Sequence, residues 1–261
     1  MTVQTTMPPA IETRGLTRSF GEFRAVDGLE LQVAQGTFYG FLGPNGAGKS
    51  TTLKMLTGLL APSSGTIRIL GHDLADPAAA LAVKRRLGVV PEDLSLFDNL
   101  TGREYLTFIG RMHLLGRDVI RKRCDELLAI MNLEGEEKKL TLEYSHGMRK
   151  KLAMAAALLP SPDLLFLDEP FEGVDAVASR ILRDLLQRCV RRGTTVFLTS
   201  HVLEIVEKLC TDVAIIAHGK LVCQESMQAV RNSATLEERF LQVVGRSDAE
   251  AQKLSWLEGE A

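Results

Sequence analysis

The sequence predicts an α/β fold: a mostly parallel sheet, an N-terminal antiparallel β portion and an inserted helical stretch. Three observations carry this. Apolar strand-like runs alternate with helical patterns along much of the chain. A glycine-rich loop sits between a short strand-like run and a helical one. From about residue 93 to 159 the chain turns helical before strand signals return.

In chain order, residues 1–10 read as a loose leader. Over residues 11–36 apolar and polar residues alternate, as in LELQV, with Gly21, Gly28 and Gly36 as turns, predicting short, half-buried antiparallel strands. TFYGFL, residues 37–42, is a brief apolar strand; the glycine-rich loop and a helical run to Leu60 follow. APSSG is a turn before the strand TIRIL. Thr101 and Glu104 have capping-box spacing, since hydroxyl and carboxylate can each satisfy a free amide at a helix start. Apolar residues recur at helical spacing from there to about Leu115 and again over residues 118–131. Strands return at residues 164–167 and 194–199, with a helical pattern between them. LEERFLQVVG, from Leu236, reads as an amphipathic helix, and the polar residues from Gly245 onward as a disordered tail.

With 261 residues the chain can bury a sizeable core, and 45% hydrophobic with 25% charged residues is ordinary for a globular protein. A net charge of -2 gives no overall drive toward nucleic acid. No apolar run approaches the ~18–20 residues of a membrane helix, and the first ten residues do not read as a signal peptide. Cys124, Cys189, Cys210 and Cys223 lack metal or redox spacing and read as reduced, apolar fillers in a cytosolic protein.

GPNGAGKS, residues 43–50, fits the phosphate-loop pattern G-x-x-x-x-G-K-[ST] in full. Gly43, Gly46 and Gly48, with Pro44, Asn45 and Ala47, let the backbone curl so that its N–H groups point inward at a phosphate. The following helix offers its positive end to the same place. Lys49 would neutralise the β- and γ-phosphates, Ser50 would ligate magnesium, and Thr51 continues the helix start. This is the loop of a P-loop NTPase core, and it implies binding of a nucleoside triphosphate with Mg2+.

LLFLDEP, residues 164–170, is a hydrophobic strand with carboxylates at its C-terminal end, where ligands of open α/β sheets bind. Asp168 would help hold magnesium and Glu169 would orient the attacking water. TTVFLTSH, residues 194–201, ends likewise in a polar pair; His201 is either a hydrogen-bond partner for the γ-phosphate or water, or a structural histidine.

With these motifs in place, residues 11–245 resemble the nucleotide-binding subunit of ABC transporters. YSHGM, residues 144–148, stands about as far before the acids as the family's LSGGQ-type signature and matches it at Ser145 and Gly147. His146 replaces a Gly and Met148 a Gln. The resemblance implies a nucleotide-binding domain over residues 11–236, with the helical insertion at about 93–159, and a C-terminal helix and tail over 237–261. It also implies a head-to-tail dimer in which the Ser145 turn of one subunit closes over ATP held by the other. Phe20 falls where the family stacks an aromatic on adenine, with Phe23 as a competitor. Asp175 matches the loop that passes information between sites, or caps a helix. Glu92, in VVPED, stands where the family usually has Gln; a carboxylate can still offer oxygen to magnesium but adds charge and lacks amide donors.

The function this implies is ATP hydrolysis powering transport, with export favoured by the degenerate signature. A separate membrane-spanning subunit would be the partner, and the chain would sit on the cytoplasmic face of the membrane. Leu96 and Phe97 would either receive that subunit or pack the insertion. The alternative is an ABC-type ATPase acting on ribosomes or DNA, which the single phosphate loop and the lack of heptads or a basic linker disfavour.

Overall fold

The computed structural model describes residues 7–245. The chain runs β1 (Ile11–Phe20), β2 (Phe23–Val33), β3 (Phe38–Leu42), α1 (Lys49–Leu56), β4 (Ser64–Ile69), β5 (His72–Asp73), α2 (Pro77–Lys84) and β6 (Leu87–Val90). Three helices follow: α3 (Gly102–Met112), α4 (Arg117–Ile130) and α5 (His146–Leu158). The remainder is β7 (Leu164–Asp168), α6 (Ala176–Arg191), β8 (Thr195–Ser200), α7 (Leu203–Leu209), β9 (Asp212–Ala217), β10 (Lys220–Ser226), α8 (Met227–Ser233) and α9 (Leu236–Val244).

Two sheets result. The first is antiparallel in the order β2-β1-β4-β5. Its first two strands are long rather than short. Gly21 turns the chain as expected, but Gly28 does not. It sits inside β2 at φ 63°, where one extra residue opposes the β1 partner between the Leu16–Leu29 and Arg18–Val26 pairs. A bulge needs positive φ as a turn does, so the same residue type marks both. Ala10 is also not part of a loose leader: it is fully buried and bonded to Val33 and Leu70.

The second sheet has the order β10-β9-β3-β8-β7-β6, parallel except for β10. Both of its faces are covered, so its central strands are buried throughout. Successive side chains enter different clusters. Phe38, Leu165, Leu167, Val196 and Leu198 pack on the helical side, while Tyr39, Phe41, Phe166 and Phe197 face α1 and the antiparallel sheet. There Phe197 lies 5.4–5.7 Å, ring to ring, from Tyr39, Phe41 and Phe166. Burial pushes the Tyr39 hydroxyl far up in pKa, and that oxygen has no hydrogen-bond partner.

The helical stretch begins at the expected capping box: the Thr101 hydroxyl accepts from the Glu104 amide at 3.2 Å and the Glu104 carboxylate from the Thr101 amide at 2.9 Å. It is not one lobe. α3 and α4 pack on α5, but α5 packs on β6 and is buried along most of its length. α9 is likewise part of the body, through the fully buried Leu236 and its packing on α7, α8 and β9. The predicted tail beyond Gly245 lies outside the described residues.

Candidate active site

Four adjacent parallel strands, β3, β8, β7 and β6, end side by side. In register, Leu42 pairs with Ser200, Thr199 with Asp168, and Leu167 with Val90. The residues just past those ends are therefore neighbours: the phosphate loop after β3, His201 after β8, Glu169 after β7 and Glu92 after β6. Side chains far apart in sequence meet because parallel strands all point their C-terminal ends one way. They border a cleft of about 520 Å³ lined by Asn45, Gly46, Gly48, Lys49, Ser50, Thr51, Glu92, Glu169, Glu172 and His201.

α1 starts at Gly48 with φ 106°, no side-chain cap and no acid in its first turn. Its first amides and the positive end of its dipole therefore open on the cleft. Gly48 is required twice over: the positive φ suits glycine, and a Cβ would lie 2.4 Å from the Ala25 carbonyl oxygen. Lys49 is buried, its ammonium donating to the carbonyls of Gly43 at 2.7 Å and Pro44 at 3.2 Å. Ala47 is buried within the same turn and donates to Pro44 at 3.1 Å.

Asp168 and Glu169 are both buried. Thr199 binds the two together: its hydroxyl donates to Asp168 Oδ1 and accepts from the Glu169 amide at 3.2 Å. Glu169 holds φ at +45°, a strained conformation for a non-glycine residue. Its Oε1 lies 3.1 Å from His201 Nδ1, and its Oε2 accepts from the His201 amide at 3.4 Å. Ser50 Oγ donates to Glu92 Oε2 at 3.4 Å. Ser50 and Glu92 offer hard oxygens on the cleft that suit Mg2+, whereas Asp168 does not line it and is bonded to Thr199. Among the described residues no group of three or more His, Cys, Asp or Glu forms a metal cage.

Ser145 and Gly147 do not line this cleft. Ser145 is exposed and caps α5, its hydroxyl accepting from the Met148 amide at 3.3 Å. Asp175 caps α6 by accepting from the Ala178 amide at 2.8 Å, and that bond holds its carboxyl below the usual range.

The sequence profile described as ABC transporter matches residues 26–172. The daunorubicin/doxorubicin resistance ATP-binding protein DrrA of Streptomyces peucetius is 39% identical over 244 residues, covering 92% of this chain and 73% of that protein. The bacitracin transport ATP-binding protein BcrA of Bacillus licheniformis is 40% identical over 217 residues, covering 83% and 69%. The chain belongs to the ABC transporter family. A solved ATP-binding subunit of an ABC transporter superposes with a TM-score of 0.84 at 28% identity, covering 90% of this chain and 99% of that one. As an ABC subunit the chain binds and hydrolyses ATP, and the P-loop, α/β architecture with its antiparallel β portion is the one expected.

Of the two aromatic candidates, the structure puts Phe23, not Phe20, at the edge of the cleft. The two are partners across one hairpin turn, but the Arg18 guanidinium covers the Phe20 ring at 4.6 Å. Leu96 is buried and lines an apolar cleft, while Phe97, half exposed, sits edge-on to Phe108 at 5.2 Å. That cleft, of about 390 Å³, lies between Val89, Pro91, Leu94, Tyr105, Ile109 and Ala153. Sequence reasoning missed Glu172, Thr199 and Lys150. The hydroxyl of Thr199 in a strand end was an available signal; Lys150, which bonds only backbone carbonyls, offered none. Among the described residues no helix is long and apolar enough to cross a membrane.

Proposed function

We propose that this chain is the ATPase of an exporter, working as a head-to-tail dimer on the cytoplasmic face beneath a separate membrane-spanning subunit. ATP lies on the α1 start, with its phosphates on the amides of the 43–51 loop and on Lys49. Phe23 meets the base. Ser50, Glu92 and Asp168 hold Mg2+, which when bound neutralises phosphate charge. Glu169 orients the attacking water and His201 steadies the carboxylate and the γ-phosphate side of the cleft. The Ser145 turn with Gly147 completes the cage over the partner's nucleotide, and Asp175 carries contact between the two sites.

The observation that carries this reading is the split itself. The strand ends border one cleft, which the exposed Ser145 helix start does not line. Export is supported by the relatives, named for drug resistance and for bacitracin transport. The apolar cleft beside Val89 and Tyr105 is the dock for the membrane subunit, since it borders the segment that carries Glu92. Affinity purification from detergent-solubilised membranes tests this. A hydrophobic membrane chain should co-purify, with ATPase activity that Leu94→Glu uncouples from it. Recovery of rRNA or DNA in its place would favour the ribosome or chromosome reading.

A further inference from the structure

We propose that Lys150 is a positioning residue for ATP hydrolysis: from the first turns of α5 it clamps the loop that carries Glu169. In this way it ties the Ser145 turn, which serves the partner's nucleotide, to the carboxylate that serves the chain's own.

Lys150 is only 3% exposed. Lysine is rarely buried to that degree without partners. Its Nζ donates to the carbonyl of Glu169 at 2.7 Å and to that of Glu172 at 2.6 Å. Both acceptors are main-chain groups, at the two ends of one tight turn in which the Glu172 amide also donates to the Glu169 carbonyl. Burial pulls the ammonium down in pKa, while the negative charges of Glu172, Glu169, Glu92 and Asp168 oppose that fall. A charge held there is spent on fixing backbone.

The backbone it fixes needs fixing. Glu169 keeps φ at +45°, and a side chain holds that conformation only where its surroundings enforce it. The same helix face makes a second contact with this loop. His146, four residues before Lys150, lies against Gly173, with its Cδ2 3.0 Å from where a Cβ would stand. Residues four apart share a helix face. The first turns of α5 thus hold the 169–173 loop at both ends, and Ser145 caps that same helix start. A shift at the Ser145 turn therefore reaches Glu169 without passing through Asp175.

The inference rests on Glu169 being the hydrolytic carboxylate. The test measures kcat, KM and equilibrium binding of a fluorescent ATP analogue for the full chain with its membrane partner. Lys150→Met keeps the stem and removes the donors. It should lower kcat by roughly tenfold or more while nucleotide affinity stays within about twofold, since small misplacement of a reacting group costs rate rather than binding. Lys150→Arg, which keeps donors, should recover much of the rate. In a Glu169→Gln background Lys150→Met should add less than about a twofold loss, because Lys150 acts through that carboxylate. Unchanged kcat in Lys150→Met, or losses that multiply with Glu169→Gln, would overturn the role. If Lys150→Met does not fold, Lys150→Leu, which likewise lacks any donor, is judged by the same criteria. Full activity in Glu169→Gln alone would remove the underlying reading; an inactive Glu169→Gln beside a fully active Lys150→Met would remove only this one.

Discussion

Two helix starts in this molecule look alike in sequence and differ in finish. α1 begins at a glycine with no side-chain cap, so its first amides stay free and open on a lined cleft. α5 begins at Ser145, whose hydroxyl already satisfies the Met148 amide, on an exposed surface. The first is a binding site within one chain. The second is, in one chain, an ordinary capped helix. In the proposed head-to-tail dimer the phosphate cage is divided between copies, so only assembly would turn the second start into part of a site.

The comparison is broken most forcefully at the first start. Lys49→Ala should reduce ATP hydrolysis at least ~100-fold and weaken nucleotide binding with it, because the loop then lacks its one ammonium near the phosphates. At the second start the two losses should come apart. Ser145→Arg should leave equilibrium ATP binding within about threefold while hydrolysis falls to background. It also removes the α5 cap, worth about 1 kcal/mol, so a drop in Tm of roughly 2–4 °C should accompany it. Unchanged ATPase activity in that variant would return Ser145 to a plain cap.

Smaller effects sharpen the boundaries of the first site. Phe23→Ala should raise the Kd for ATP several-fold, up to about tenfold, and Phe20→Ala should change it less than twofold, measured by the same binding titration. The reverse order would restore Phe20 as the base contact. Smallest of all, Glu92→Gln should keep ATPase activity within about tenfold, since either side chain offers an oxygen beside Ser50. Complete loss would show that the negative charge there has its own task.

Much of this was legible in the chain because the chemistry of the first site is contiguous. Residues 43–50 carry glycine freedom, the lysine and the hydroxyl in one run, and the strand before Asp168 announces itself by being wholly apolar. Elements without such a run were silent. β6 is four residues long, and α2, PAAALAVK, is too evenly apolar to show a helical face. Gly28 reads as a turn in sequence because a bulge asks the same φ of the same residue. The sequence favours Phe20 over Phe23, but the two face each other across a turn, and what separates them is the cleft, which Phe23 borders, and Arg18 over the Phe20 ring. Lys150 left no pattern to find: its partners are backbone carbonyls, which every residue has.

The divided cage is tested most directly by sedimentation of the Glu169→Gln chain with saturating ATP and Mg2+, alone and with its membrane partner, with and without Ser145→Arg. Slow hydrolysis should trap a dimer in the first variant, and adding Ser145→Arg should return it to monomer with ATP still bound. A Glu169→Gln chain that stays monomeric in both settings, or a double variant that dimerises as well as the single one, would contradict a nucleotide held between two copies.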